Sequence, residues 1–204
     1  LYYCAVSLKR FYQREVPEAG CDEAGRGCLA GPVFAAAVML DPKKPIKRLD
    51  DSKKLSEAER NALRPEIEEK ALAWAVASYS NQEIDKVNIL KASFFSMHRA
   101  LAKLSVKPEL LLIDGNRFIA YPQTQHVCIV KGDAKYQAIA AASILAKTHR
   151  DAFMEKIHQE FPQYNWQQNK GYPTLAHRAA IKEFGPCVHH RMTFNLLPAQ
   201  ISLF

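Results

Sequence analysis

The sequence predicts an α/β fold: a central mixed sheet flanked by helices, followed by a helical C-terminal extension. Three observations predict it. Short apolar runs of strand length dominate the first part of the chain, notably Val33 to Leu40. Further β-prone runs at Leu110 to Ile113 and Val127 to Val130 then alternate with helical stretches. From Ala138 onward the patterning is helical throughout. With 204 residues, 48% of them hydrophobic, the chain is long and apolar enough for a sizeable core.

The elements follow in order. An apolar approach through Gly20 and Cys21 ends at Asp22 and Glu23. Neighbouring residues of a regular strand face opposite ways, so a strand serving both acids to one site is expected to end or bulge near Glu23. Val33 to Leu40 suits a buried strand. Ser56 to Lys70 is a charged helix, with Ser56 as N-cap and Glu59 completing a capping box; Pro65 is expected to kink or divide it. Leu72, Trp74 and Val76 alternate with small residues through Ser80, as in a strand. Ile89 to Leu104 reads as a helix. Ala138 to Phe161 is a long helix, alanine-rich at first and charged later. Gly171-Tyr172-Pro173 breaks the chain, Thr174 caps a further helix, and Gly185-Pro186 ends it. We divide the chain into a catalytic unit, 1–165, and a C-terminal helical extension and tail, 166–204, packed together.

The formal net charge is +7 and the pI about 9.1, which points to a polyanionic partner. Five cysteines, Cys4, Cys21, Cys28, Cys128 and Cys187, form no CxxC pair. We read them as reduced thiols of a cytoplasmic protein. Cys187 with His189 and His190 would be half a zinc site, and no second ligand cluster completes it. No apolar run reaches the length of a membrane span, and the first residues are too short and weakly flanked for a signal peptide. The missing initiator Met suggests a trimmed or fused terminus.

The chemistry concentrates in Asp22-Glu23-Ala24-Gly25-Arg26-Gly27. Paired carboxylates attract a hard divalent cation. Backbone N–H groups of a glycine loop can approach a phosphate closely. Together they suggest metal-assisted chemistry on a phosphodiester. A dinucleotide-binding glycine turn is disfavoured, because Pro32 and the β-prone Val33 to Leu40 run follow where a helix should begin. Taken singly, Asp114-Gly115 reads equally well as a hairpin turn and Asp133 as a helix N-cap.

The order of motifs resembles bacterial ribonuclease HII. The carriers are Asp22-Glu23-Ala24-Gly25-Arg26-Gly27, Asp51-Ser52-Lys53-Lys54-Leu55, Leu112-Ile113-Asp114-Gly115-Asn116 and Lys131-Gly132-Asp133-Ala134. Ala141-Ala142-Ser143-Ile144-Leu145-Ala146-Lys147, Lys170-Gly171-Tyr172 and His190-Arg191-Met192-Thr193-Phe194 extend it. Cys28 departs from the family, many of whose members carry proline there, and should change loop stiffness rather than chemistry.

The resemblance implies a ribonuclease H-like fold with a mixed five-stranded sheet. It implies a four-carboxylate site of Asp22, Glu23, Asp114 and Asp133 holding two Mg²⁺ or Mn²⁺ ions for in-line phosphodiester hydrolysis. The products would carry a 5′-phosphate and a 3′-hydroxyl. The implied substrates are the RNA strand of RNA–DNA hybrids and ribonucleotides embedded in duplex DNA, nicked on their 5′ side, as in replication and ribonucleotide excision repair. Gly25, Arg26 and Gly27 would contact the ribonucleotide and its 2′-hydroxyl, and Tyr172 would pack on the next deoxyribose. Lys53, Lys54, Lys147 and Arg191 are candidate phosphate contacts. Gln200, Ile201, Ser202, Leu203 and Phe204 look like the terminal pentapeptide that binds a DNA sliding clamp; a tail packed on its own domain is the equal alternative. We expect a monomer. The rivals are a DNA nuclease or integrase-like enzyme of the same fold, and a noncatalytic nucleic-acid-binding module.

Overall fold

The structure, a computed structural model, describes residues 8–50 and 52–197. Five strands form one sheet: β1 (Glu18–Ala24), β2 (Val33–Leu40), β3 (Ala71–Tyr79), β4 (Leu110–Asp114) and β5 (Gln125–Ile129), in the order β3-β2-β1-β4-β5. The first three make an antiparallel meander. β4 and β5 lie parallel to β1, so the sheet is mixed, as the sequence predicts.

The helices are α1 (Glu57–Lys70), α2 (Asn81–Val87), α3 (Ile89–Leu101), α4 (Gln137–Glu160), α5 (Trp166–Asn169) and α6 (Leu175–Phe184). α3 covers one face of the sheet, where Met97, Ala100 and Leu101 meet Cys21, Ala37, Leu111 and Ile113. α4 covers the other, where Ala141, Ala142 and Leu145 meet Ala36 and Val38. With both faces buried, β2 reads as a continuous apolar run rather than an alternating one. α4 begins alanine-rich because it lies directly on β1. A Cβ at Gly20 would stand 2.2 Å from the Ala138 carbonyl carbon, so larger side chains would force the layers apart.

α1 keeps its capping box of Ser56 and Glu59 but is not divided at Pro65. The lost hydrogen bond is offset by burial of Leu63 and Ile67 and by Arg64–Glu68 and Lys70–Glu66 ion pairs at 2.8 and 2.7 Å. α3 stops three residues short of the expected Leu104, at Leu101. α2 was not anticipated, although Ser80 and Glu83 form a second capping box at its start.

The extension packs against the second half of α4. Met154 and Ile157 of α4 share a cluster with Tyr164, Trp166 and Ile181, and with Leu29 and Ala30 from the loop after β1. The segment after α4 is thereby joined to the loop that carries Gly25-Arg26-Gly27.

Candidate active site

The sheet itself brings the acids together. β1 and β4 run parallel with Cys21 beside Ile113. One step further, at the carboxyl ends of both strands, Asp22 stands beside Asp114. This is where open α/β sheets present their sites. Asp133 arrives just after β5, in a tight turn over Gly132–Ala134. That turn is tied to β4 by the Gly132 N–H, which donates to Asp114 Oδ1 at 2.7 Å.

Each carboxylate has its own local partners. Asp22 is buried and accepts the Glu23 N–H at 2.7 Å; Ser143 of α4 offsets part of the rise in its pKa. Ser143 in turn shares a 2.8 Å hydroxyl contact with Ser52. Glu23 meets the Arg26 guanidinium at 3.2 Å. Asp133, also buried, accepts Lys53 Nζ at 3.0 Å and the Ala134 N–H at 3.0 Å.

Of the two expectations near Glu23, the strand end is found and the bulge is not: β1 ends at Ala24, one residue past Glu23. β1 runs through Glu23 to Ala24, in unbroken register with β2. Asp22 lies on the α4 side, and Glu23 has the opposite parity. Glu23 joins the cleft because it is the penultimate residue of a twisting strand, and its longer side chain reaches past the strand end.

Burial is the largest cause of a raised pKa at Asp22, Glu23 and Asp114. Mutual repulsion adds to it: Asp22 feels Glu23 and Asp114, and Asp114 feels Asp133. Arg26 works against the rise at Glu23. Among the described residues, no group of three or more His, Cys, Asp or Glu side chains is arranged to hold a metal ion. The acids repel one another, and Glu23, Asp133 and Asp114 are instead paired with Arg26, Lys53 and the Gly132 N–H.

Around Asp22, Glu23 and Asp114 the cleft is lined by Gly25-Arg26-Gly27, Lys53, Arg60, Lys147 and Tyr172. The two glycines differ. Gly25 has φ +96°, and a Cβ there would fall 2.0 Å from Arg150 Nε; at Gly27 an added Cβ meets nothing within 4 Å. Arg150 is fully buried and donates to the carbonyls of Pro32, Lys170 and Ala30 at 3.2, 2.9 and 3.3 Å.

Arg191 requires a correction. It is fully buried and cannot meet a phosphate in the cleft. Its guanidinium donates to Gly31 O, Arg26 O and Gly25 O at 2.9, 2.9 and 2.7 Å. It braces the glycine loop from beneath, and burial pushes its pKa down to about 10. Lys53 is exposed beside Asp133. Lys147 is part-buried and pairs with Asp151 at 2.7 Å. Lys54 pairs with Asp50 at 3.3 Å on the surface and does not line the cleft. Tyr172 is 41% exposed at the cleft wall, with Arg150 6.0 Å from its ring centroid.

Ser143, Ser52, Arg60 and Arg150 were missed as site residues. Arg60 ties the 52–55 segment to α1 by donating to Ser52 O and Leu55 O at 2.9 and 2.5 Å. An arginine in a charged helix reads as a solvated face, so nothing in the local pattern marks Arg60 or Arg150. The pentapeptide Gln200 to Phe204 lies outside the described residues, as does Cys4. Cys21, Cys28, Cys128 and Cys187 are free thiols. Among the described residues no helix is long and apolar enough to cross a membrane.

Known proteins are similar to this chain in sequence and in architecture. The family model described as Ribonuclease HII matches residues 19–197. A ribonuclease HII of Bacteroides fragilis is 61% identical over 198 residues, covering 97% of this chain and 98% of that protein. The solved PCNA:RNase HII complex from Archaeoglobus fulgidus matches with a TM-score of 0.75 and 27% identity, over 93% of this chain and 100% of that one. A Bst-RNase HIII solved in complex with Mn²⁺ shares the fold, with a TM-score of 0.72 and 21% identity over 89% of this chain and 68% of that one. Full-length identity at this level, carried on the same mixed sheet, means that the chain belongs to the ribonuclease HII family.

Proposed function

We propose that the chain is an endoribonuclease that cuts the RNA strand of RNA–DNA hybrids and nicks 5′ of ribonucleotides embedded in duplex DNA. The observation that carries the reading is the delivery of Asp22, Glu23 and Asp114 to one cleft walled by Gly25-Arg26-Gly27 and Tyr172. Asp133 lies immediately beside them through Lys53 and the Asp114–Gly132 hydrogen bond.

The donor set fits hard divalent cations. Carboxylate oxygens are the ligands Mg²⁺ and Mn²⁺ favour, and burial with mutual repulsion leaves these acids short of positive charge. Asp22, Glu23, Asp114 and Asp133 would hold two such ions. When bound, the ions supply Lewis-acid polarisation of a phosphate oxygen and a water acidic enough to ionise near neutral pH. Arg26 and Lys53, now paired with Glu23 and Asp133, would then be released toward the phosphates of the substrate. The Glu23 N–H holds the Asp22 carboxylate, and Ser143 lines the same cleft.

Ribose is recognised on the opposite wall. The open face of Gly27 admits a sugar against the backbone of the loop, where the 2′-hydroxyl distinguishes RNA from DNA. Arg191 holds the carbonyls of Gly25 and Arg26, so the loop is pre-formed. The Tyr172 ring packs on the sugar of the following nucleotide. Lys53 and Lys147 add phosphate contacts that set affinity rather than specificity. The chain acts in the cytoplasm, and its tail, Gln200 to Phe204, docks on a sliding clamp; a solved family member is itself a complex with PCNA.

The test is a labelled DNA duplex carrying one ribonucleotide, incubated with Mg²⁺, Mn²⁺ or chelator. A metal-dependent nick 5′ of the ribonucleotide, lost in Asp22→Asn, is expected. Equal cutting of an all-DNA duplex would overturn the reading. Clamp binding is tested by titration against the full chain and one lacking Gln200 to Phe204; equal binding by both, or by neither, rejects it.

A further inference from the structure

We propose that His177 is a positioning residue for Tyr172, locking it through a two-histidine relay rooted in the C-terminal extension. The inference rests on the reading of Tyr172 as the sugar contact.

The hydrogen bonds leave each ring a single role. The Trp166 indole N–H can only donate, and it points at His177 Nε2 from 3.0 Å. His177 Nε2 is therefore an acceptor, and a neutral ring must carry its proton on Nδ1. That nitrogen lies 2.9 Å from Tyr172 O, to which it donates. On the second ring, His190 Nδ1 accepts the Cys187 N–H at 2.9 Å. Its proton then sits on Nε2, 3.3 Å from His177 Nε2, whose single lone pair already takes the shorter Trp166 N–H, so His190 is the weaker branch of a shared acceptor. Donation into His177 comes chiefly from Trp166, with His190 behind it, and passes out through Nδ1 to the Tyr172 carbonyl.

Both histidines are buried, among Trp166 and Tyr164, whose rings stack with centroids 5.0 Å apart. Burial lowers the pKa of both, so both rings are neutral in the physiological range. The Tyr172 carbonyl also accepts the Thr174 N–H at 2.8 Å, which fills its two lone pairs. Its own N–H donates to Asn169 O at 2.8 Å. The Tyr172 backbone is thus held on both sides while its ring reaches the cleft, and three of these ties come from residues after α4. His177 touches no acid of the cleft. Its effect passes through the orientation of one neighbour, as with groups that orient another functional side chain.

The experiment uses the full chain and three variants. His177→Gln sets an amide near the Nε2 position and leaves the Tyr172 carbonyl without its side-chain donor. His177→Asn places an amide N–H near the Nδ1 position. Tyr172→Ala is the comparator. The readout is the ratio of kcat/KM on a duplex with one ribonucleotide to that on a duplex with a run of ribonucleotides. A roughly tenfold fall in the ratio is expected for His177→Gln, with rescue by His177→Asn to within about threefold, the size of one neutral hydrogen bond. A folded His177→Gln chain with an unchanged ratio, where Tyr172→Ala alters it, overturns the inference. An unchanged ratio in Tyr172→Ala overturns instead the role given to the tyrosine. Nitrogen-15 NMR of the histidine-labelled wild-type chain is independent of both. It should show opposite neutral tautomers, Nδ1–H at His177 and Nε2–H at His190, and any other pairing rejects the relay.

Discussion

Gly25 and Gly27 sit two residues apart in one loop, and alanine should act on them in opposite ways. At Gly25 the backbone has φ +96°, which costs an L-residue about 1–2 kcal/mol. The new Cβ would lie 2.0 Å from Arg150 Nε, so the guanidinium must move. Three carbonyls hold it, and breaking one charged hydrogen bond in the interior costs a further ~1.5–3 kcal/mol. Gly25→Ala should therefore lose about 3–5 kcal/mol, on the order of 10 °C in Tm for a chain of this size. At Gly27 the Cβ meets nothing within 4 Å, and stability should stay within about 0.5 kcal/mol. If the loop backbone touches ribose, Gly27→Ala should nonetheless lower kcat/KM on a single embedded ribonucleotide by roughly 10²-fold, a scale reached when reacting groups are displaced by about 1 Å. Urea denaturation and cleavage kinetics on both variants separate the effects. Full activity in Gly27→Ala would refute the ribose contact. Wild-type stability in Gly25→Ala would refute the close packing of Arg150.

Other outcomes follow from the same geometry. Arg191→Lys keeps the charge but loses the fork that serves three carbonyls; it should destabilise by about 2–4 kcal/mol and depress cleavage, as denaturation and kinetics would show. Asp22→Asn removes a charge from a repelling cluster. In chelator it should melt higher than wild type by about 1–2 kcal/mol of stability, while gaining less from added Mn²⁺ in a thermal melt. Acid should weaken the fold through His190, whose folded pKa is lowered from 6.5 to about 4. The unfolded chain takes up that proton first, so the contribution present above pH 6.5 is lost as pH falls toward 4, by about 3 kcal/mol. The raised pKa values of Asp22, Glu23 and Asp114 oppose this, because those acids gain protons in the folded state over the same descent. Denaturation midpoints from pH 7 to 4 should flatten in His190→Asn.

Local rules carried much of the architecture. Val33 to Leu40, Leu110 to Ile113 and the long helix from Ala138 were legible because burial on both faces, strand length and alanine content leave direct marks on the chain. The capping box at Ser56 was legible for the same reason. The helix is not divided at Pro65, because a single lost hydrogen bond is smaller than the packing and ion pairs that hold it. The acids Asp22, Glu23, Asp114 and Asp133 were legible as motifs in order, although no local rule says that they meet.

The sequence by itself determined which groups this chain brings to its chemistry: four carboxylates, a glycine loop, a tyrosine and a basic balance. Only the tertiary structure decided what each group faces. Parallel pairing of β1 with β4 sets Asp22 beside Asp114. Burial turns Arg191 from a surface cation into the brace of a loop. Folding of the C-terminal extension sets Trp166 and His190 against His177, whose Nδ1 meets the Tyr172 carbonyl. Those roles depend on distances between residues remote in sequence, and a one-dimensional pattern encodes side-chain chemistry but not the neighbour that each side chain finds.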